Sequence, residues 1–230
     1  MIVGVAQQML LFLILSLVLA AGSSSSSKGS FEVRAKVLSG WPETPSAAQS
    51  LEWIRDVDSS QASALLAQLA RGGSLESAAE DLLISSSAKT YLELVVRNSY
   101  YSPRIESSRS LERTDRQLYG SACSAGTAWA LLWSSSSSPS AACDAAALRV
   151  LLKDEPRGNS SGFARAPRDL QLRPDSGKGV VVLYGAVSAS GLPSLSPLLV
   201  EVESLPKASS WEVLFRHADG LSGAEGLGAD

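Results

Sequence analysis

The sequence predicts an α/β fold, in which helices cover a β-sheet, and three features indicate it. The segment GKGVVVLYGAV (177–187) contains a β-branched run typical of a central strand buried on both faces. The segment FEVRAKVLS (31–39) alternates apolar and charged residues, as a half-buried strand does. Between them, apolar residues recur at helical spacing, for example over 75–83. Hydrophobic residues make up 45% of the 230 residues, which is enough to form a packed core.

The amino terminus predicts a signal peptide over residues 1–21. Met9–Ala20 is a run of 12 residues without a charge, too short to span a bilayer comfortably and followed by small residues suited to cleavage. An uncleaved anchor is the alternative, because no Lys or Arg precedes Lys28. A Ser-rich linker over 22–30 follows, and no later apolar run approaches membrane length. We therefore expect a protein of the secretory pathway that contacts no membrane after cleavage.

A stiff turn and a helix follow the first strand. Pro42 and Pro45 fix the backbone, and Thr44 is placed to cap a helix whose first residue is Pro45. One face of this helix carries apolar residues, namely Ala48, Leu51 and Ile54.

The remaining elements follow from the same patterns. The helical region ends at RGG (71–73), and new helices are predicted to begin at Ser74 and at Ser102, where Pro103 would take the first helical position. Downstream we expect a buried strand, a short helix, the central strand, a helix with Pro197 near its first turn, and a last strand, at 126–133, 143–152, 177–187, 192–205 and 209–219. This order predicts a thioredoxin-like α/β sandwich with a helical insertion over residues 31–219. A disordered or truncated tail is expected at 220–230.

Charge argues against nucleic-acid binding. The net charge is −3, the pI is about 5.3, and the chain has no run of Lys or Arg. Four arginines alternate with acidic residues in the helix after Ser102, and we interpret them as a solvated helix face. The residues concerned are Arg104, Arg109, Arg113, Arg116, Glu106, Glu112 and Asp115.

Two cysteines in a secreted chain predict a structural disulfide between Cys123 and Cys143. They are too far apart in the sequence for a C-x-x-C pair, so we expect no thiol exchange. Asn159-Ser160-Ser161 is an N-glycosylation sequon in a Gly- and Pro-containing stretch, which predicts a glycan on Asn159.

No residue pattern predicts catalysis, a cofactor site or a metal site. His217 is the one histidine, and no G-x-S-x-G turn surrounds any serine, so we interpret it as a strand-end residue rather than a base. Asp56-Val57-Asp58 has the D-x-D spacing by which many sugar-nucleotide transferases hold a divalent ion. The pattern is common by chance, and no further acidic partner is near it in the sequence, which favours a role without a metal.

Four stretches resemble the first thioredoxin-like domain of the UDP-glucose:glycoprotein glucosyltransferases. They are GWPETPSAAQSLEWI (40–54), YSPRIESSRSL (101–111), VVVLYGAV (180–187) and WEVLFRHAD (211–219). They occur in the same order as in that family, and the resemblance covers about residues 31 to 219.

The resemblance implies a non-catalytic domain that helps to recognise misfolded glycoproteins in the lumen of the endoplasmic reticulum. The family's UDP-glucose, divalent metal and catalytic D-x-D belong to a glycosyltransferase domain that the four stretches do not include. Asp56 and Asp58 therefore do not inherit the catalytic role, and whether this chain takes part in an enzyme stays open. The alternative is a free-standing, redox-inactive thioredoxin-like binding or chaperone module of the secretory pathway.

Overall fold

A computed structural model describes residues 44–73, 86–134, 138–154, 156, 163–167, 169–174, 178–206 and 209–219. The chain divides into two compact units, residues 1–38 and residues 39–230. All the described residues belong to the second unit. The predicted signal peptide, the linker, the first strand, the helix from Ser74, Asn159 and the tail all lie outside the described residues.

The described part of the chain contains six α-helices and five β-strands. The helices are α1 (Ser46–Val57), α2 (Ser59–Ala70), α3 (Ser86–Arg97), α4 (Ser102–Leu118), α5 (Ala145–Leu152) and α6 (Leu192–Glu203). The strands are β1 (Trp129–Ser134), β2 (Ser140–Ala142), β3 (Leu170–Arg173), β4 (Gly179–Gly185) and β5 (Trp211–His217). None of these helices is long and apolar enough to cross a membrane.

The five strands form one mixed sheet in the order β2-β1-β4-β5-β3. β4 and β5 run parallel, with Val181 opposite Val213, and the other neighbouring strands run antiparallel. β4 is central, and all its residues are buried, as its β-branched run predicts. The predicted α/β fold is confirmed at this level.

Each face of the sheet has its own apolar core. One face packs against α1, α2 and α6 through residues such as Leu132, Val181 and Phe215. The opposite face carries Trp129 and Tyr184, whose rings stack with centroids 4.5 Å apart. The alternation of side chains along the strands divides the two sets, because successive residues point to opposite faces.

Helix starts differ by one residue from the prediction. α1 begins at Ser46, and Pro45 takes the capping position without a side-chain hydrogen bond. Thr44 does not cap the helix; its hydroxyl donates to Ser102 Oγ at 2.8 Å. α4 likewise begins at Ser102 itself, with Tyr101 before it. Pro45 and Tyr101 leave the first amides of their helices without a side-chain cap.

The strands and helices downstream of α4 agree with the prediction in order, with two additions. The edge strands β2 and β3 are short and were not predicted, because three or four residues show no readable alternation. Pro197 lies inside α6 rather than near its start, and Pro193 takes the early position.

Candidate functional site

Helix α4 lies across the carboxyl ends of the parallel strands β4 and β5. The hydroxyl of Ser108 accepts a hydrogen bond from the main-chain N–H of His217 at 2.8 Å. The Tyr184 hydroxyl donates to Asp115, and the Trp129 indole donates to Glu112 at 3.0 Å. Open α/β sheets commonly bind ligands at this edge. Here α4 covers this edge.

The first polar cluster joins the end of β5 to α1. His217 Nε2 lies 3.0 Å from Glu52 Oε1, and both side chains are buried. Ser108 is nearby, but its hydroxyl contacts the His217 backbone rather than the ring. A Ser-His-acid triad needs a bond between the serine hydroxyl and the imidazole. His217 is the last residue of β5, the position that the sequence predicts.

Glu52 is held ionised by several cationic partners. Burial alone would raise the pKa of Glu52, but the hydrogen bond and charge of His217, the charge of Arg55 and the hydrogen bond from Arg104 outweigh it and lower the pKa. Arg55 lies 2.8 Å and Arg104 lies 3.2 Å from the same carboxylate oxygen. The cluster therefore ties α1, α4 and β5 together through charge-assisted hydrogen bonds.

The two aspartates of the D-x-D have separate structural roles. Asp56 accepts from Arg104 at 2.7 Å and from the Tyr101 hydroxyl at 3.1 Å. Burial and the charge of Asp56 raise the pKa of Tyr101 to about 12. Asp58 lies at the break between α1 and α2 and caps α2 by accepting from the Ser60 amide at 2.9 Å. Across the described residues, no group of three or more His, Cys, Asp and Glu side chains could hold a metal ion.

The second polar cluster surrounds Arg216 on the opposite face of β5. Its guanidinium binds both carboxylate oxygens of Asp169, at 2.6 and 2.8 Å. The same side chain reaches Asp115 at 3.1 Å and the Tyr184 hydroxyl at 3.2 Å. Only 4% of the Arg216 side chain and 6% of the Asp169 side chain are exposed. This bidentate pair fixes the segment before β3 against the sheet.

The predicted solvated face of α4 is wrong in part. Arg113 is exposed, but Glu112 is buried, and Arg109 and Arg116 are mostly covered. Arg116 donates to Glu112 and to the main-chain oxygens of Ser124 and Thr127. A mixed-charge helix looks the same in sequence whether its partners are water or buried polar groups, so the pattern alone misleads.

A groove runs between α4 and the segment Phe163–Pro167. We call it the aromatic groove; it has a volume of about 600 Å³. Leu131, Trp133 and Phe163 form its apolar part, with Tyr119 at the end of α4 beside them. The Trp133 ring centroid lies 6.1 Å from that of Tyr119 and 6.0 Å from that of Phe163.

The polar part of the aromatic groove comes from α4, β5 and the segment Phe163–Pro167. Ser107 and Ser110 line one wall, and Asp115, Arg165 and Arg216 contribute charge. A smaller cavity of about 350 Å³ continues toward Glu52 and Arg104. This cavity and the aromatic groove share four lining residues from α4 and from the segment before β3, namely Ser107, Leu111, Ala166 and Pro167. The sequence does not predict this groove, because its aromatic residues lie in three separate segments without a shared motif.

Cys123 and Cys143 lie at disulfide distance, with their sulfur atoms 2.01 Å apart. The bridge joins the loop before β1 to the residue after β2. Cys123 is buried in the core that contains Trp129, and Cys143 packs at its edge. The bond therefore fixes the edge hairpin that carries Trp133.

Comparison of the chain with protein-family models, curated proteins and solved structures finds no match. The resemblance to the glucosyltransferase family therefore depends on the four short stretches alone.

Proposed function

We propose that this chain is a thioredoxin-like, non-catalytic domain of a UDP-glucose:glycoprotein glucosyltransferase that acts in the endoplasmic reticulum. One observation carries the proposal: the four stretches that resemble the family converge in space. Gln49 of the first stretch donates to Ser102 of the second at 2.7 Å, and the Tyr101 amide donates back to Gln49 at 2.8 Å. Glu52 of the first stretch pairs with His217 of the fourth at 3.0 Å.

The third and fourth stretches are also neighbours. They form β4 and β5, which pair in parallel over their whole length, from Gly179 opposite Trp211 to Gly185 opposite His217. The four stretches, which are far apart in the sequence, thus contact one another in the interior of the protein. In the polar contacts between these stretches, each partner would be left unpaired without the other.

The proposed role is recognition of misfolded glycoproteins rather than glucosyl transfer. The four stretches include no part of the family's glycosyltransferase domain, to which its UDP-glucose and divalent metal belong. Asp56 and Asp58 are engaged in an ion pair and a helix cap. We expect the purified chain to transfer no glucose from UDP-glucose. Turnover that Asp56→Ala abolishes would contradict this role.

The surface that we propose for client contact lies on α3 and the turn after it. Tyr91, Leu94 and Tyr100 are 62%, 50% and 70% exposed, and we call them the α3 patch. Tyr91 and Leu94 share a helix face because they are three residues apart. Contact between exposed apolar side chains of this size and a partner's apolar surface removes both from water, which lowers the free energy of the complex. An unfolded client offers such surface.

A binding assay tests this role directly. Immobilised chain should bind a reduced and alkylated glycoprotein more tightly than its native form. The triple variant Tyr91→Ser, Leu94→Ser and Tyr100→Ser should lose this preference. The matched control Val150→Ser with Val200→Ser removes apolar side chains that are 63% and 51% exposed on α5 and α6, and it should keep the preference. Equal binding of native and unfolded glycoprotein by the wild-type chain would contradict the proposal.

A second candidate function is a free-standing, redox-inactive binding or chaperone module of the secretory pathway. It is compatible with the bridge between Cys123 and Cys143, which leaves neither thiol available for exchange. Reading the transcript beyond the codon for Asp230 distinguishes the two candidates. A continuing frame that encodes a glycosyltransferase domain supports the first candidate, and a stop codon supports the second.

A further inference from the structure

The aromatic groove has charged residues in its lining, but every one of them is already paired within the protein. Arg216 binds Asp169 and Asp115, and Arg165 binds Glu212 at 2.7 Å. An anion that took Arg216 from Asp169 or Arg165 from Glu212, or a cation that took Asp115 from Arg216, would leave a side chain that is 6% exposed or less without its partner. The groove is therefore unsuited to an anion or a cation.

Neutral hydrogen-bonding groups in the groove are instead available. The Trp133 indole N–H, the Tyr119 hydroxyl and the hydroxyls of Ser107 and Ser110 have no hydrogen-bond partner among the described residues. Trp133 and Tyr119 are half-buried, and both line the groove. A purely apolar ligand that covered the rings would cut the indole and phenol groups off from water without replacing their hydrogen bonds, at a cost in affinity.

We propose that the aromatic groove binds a neutral pyranose ring of an oligosaccharide. A pyranose has an apolar face of C–H groups, which suits the half-buried ring of Trp133, and a rim of hydroxyls that both donate and accept. These hydroxyls match the free indole N–H and the free hydroxyls of the walls. A volume of about 600 Å³ lies within the range of small-ligand sites. This assignment depends on the groove alone and not on the family resemblance or the α3 patch.

Calorimetric titration of the full chain with two neutral trisaccharides, mannotriose and chitotriose, tests the proposal. At least one should bind with a dissociation constant on the order of 1 mM, typical of a small site with few hydrogen bonds. Trp133→Phe keeps a ring but removes the N–H, and Tyr119→Phe removes one hydroxyl; each should weaken binding about fivefold. Tyr100→Phe removes an exposed hydroxyl outside the groove and should leave the affinity unchanged.

A second pair of variants keeps the test valid if changes to the aromatic residues impair folding. Ser110→Leu places a larger side chain at an exposed position in the groove wall and should weaken binding at least about tenfold. Thr114→Leu makes a similar change one turn further along α4, outside the groove, and should have no effect.

Three results would overturn the proposal. They are the absence of saturable heat with either trisaccharide, equal affinity of wild type and Ser110→Leu, and tighter binding of an apolar peptide or of a saccharide that carries a carboxylate. None of them bears on binding of unfolded glycoproteins through the α3 patch, which is measured separately, so the two proposals can fail independently.

Discussion

The Arg216–Asp169 pair offers the most direct test of how the groove is held. Arg216→Met removes the guanidinium and keeps much of the side-chain volume. Asp169 would then remain with 6% of its side chain exposed and without the cation that binds both its oxygens. Removing one partner of a buried ion pair costs about 3–5 kcal/mol, because the remaining charge has lost its partner but is still out of water. The contacts of Arg216 with the Tyr184 hydroxyl and the Ala164 carbonyl are lost as well.

Equilibrium unfolding in urea measures the change, with two comparisons built into the design. The Arg71–Glu203 pair has a similar N–O distance of 2.8 Å, but its side chains are 65% and 42% exposed. Arg71→Met should therefore reduce the free energy of unfolding by less than about 1 kcal/mol. The double variant Arg216→Met with Asp169→Leu replaces the buried pair by apolar groups and should be at least about 2 kcal/mol more stable than Arg216→Met alone.

Two outcomes would refute this reasoning. One is that Arg216→Met lowers the free energy of unfolding no more than Arg71→Met does, which would mean that water solvates the Arg216–Asp169 pair in solution. The other is a double variant no more stable than the single variant, which would mean that the cost arises from packing rather than from an unpaired charge. Because Arg216 also lies over the Phe163 ring, with 5.3 Å between its Cζ and the ring centroid, the single variant should weaken saccharide binding too.

Three further predictions concern stability and modification. Cys143→Ser should lower the free energy of unfolding by about 2–5 kcal/mol in chemical denaturation, and an unchanged midpoint would contradict a structural disulfide. The pKa of Glu52 is depressed below its ordinary value of 4.5, so its stabilising contribution is present above that pH and is lost as the pH falls through the lower folded-state pKa. Glu52→Gln should therefore flatten the acid limb of a stability-against-pH curve, and the exposed control Glu203→Gln should not. Asn159→Gln should abolish the mobility shift that glycosidase treatment causes in protein from a secretory host, and an unmodified wild-type chain would refute the predicted glycan.

Local patterns predicted the elements that depend on local physics. The β-branched run of β4 indicates a buried central strand because side-chain type and burial are linked within one segment. Pro45 indicates the start of α1 to within one residue, because proline fixes its own backbone angle and has no N–H to donate. The predicted cysteine pair depends on composition and compartment, and the structure places the two sulfur atoms at bonding distance.

The site could not be predicted, because its contacts join distant parts of the chain. Glu52 and His217 are 165 residues apart, and neither has a motif that names the other. Tyr119, Trp133 and Phe163 meet only because α4, β1 and the segment before β3 converge beside one face of the sheet. The periodicity of a helix or strand shows which residues share a face, but it carries no information about what that face contacts.

The position of α4 connects the framework of the fold to the location of the groove. In open α/β proteins, ligands commonly bind at the carboxyl ends of parallel strands, which is the edge where β4 and β5 end in this sheet. In this chain α4 covers it and is held there from below by bonds to Trp129, Tyr184 and His217. The aromatic groove lies instead between α4 and the segment before β3, and its charged side chains pair with other residues of the protein. Those charges are already neutralised by their partners. The groups that a ligand can still use are therefore the neutral indole N–H of Trp133 and the hydroxyls in the groove. For this reason we expect the groove to select an uncharged molecule that is rich in hydroxyls.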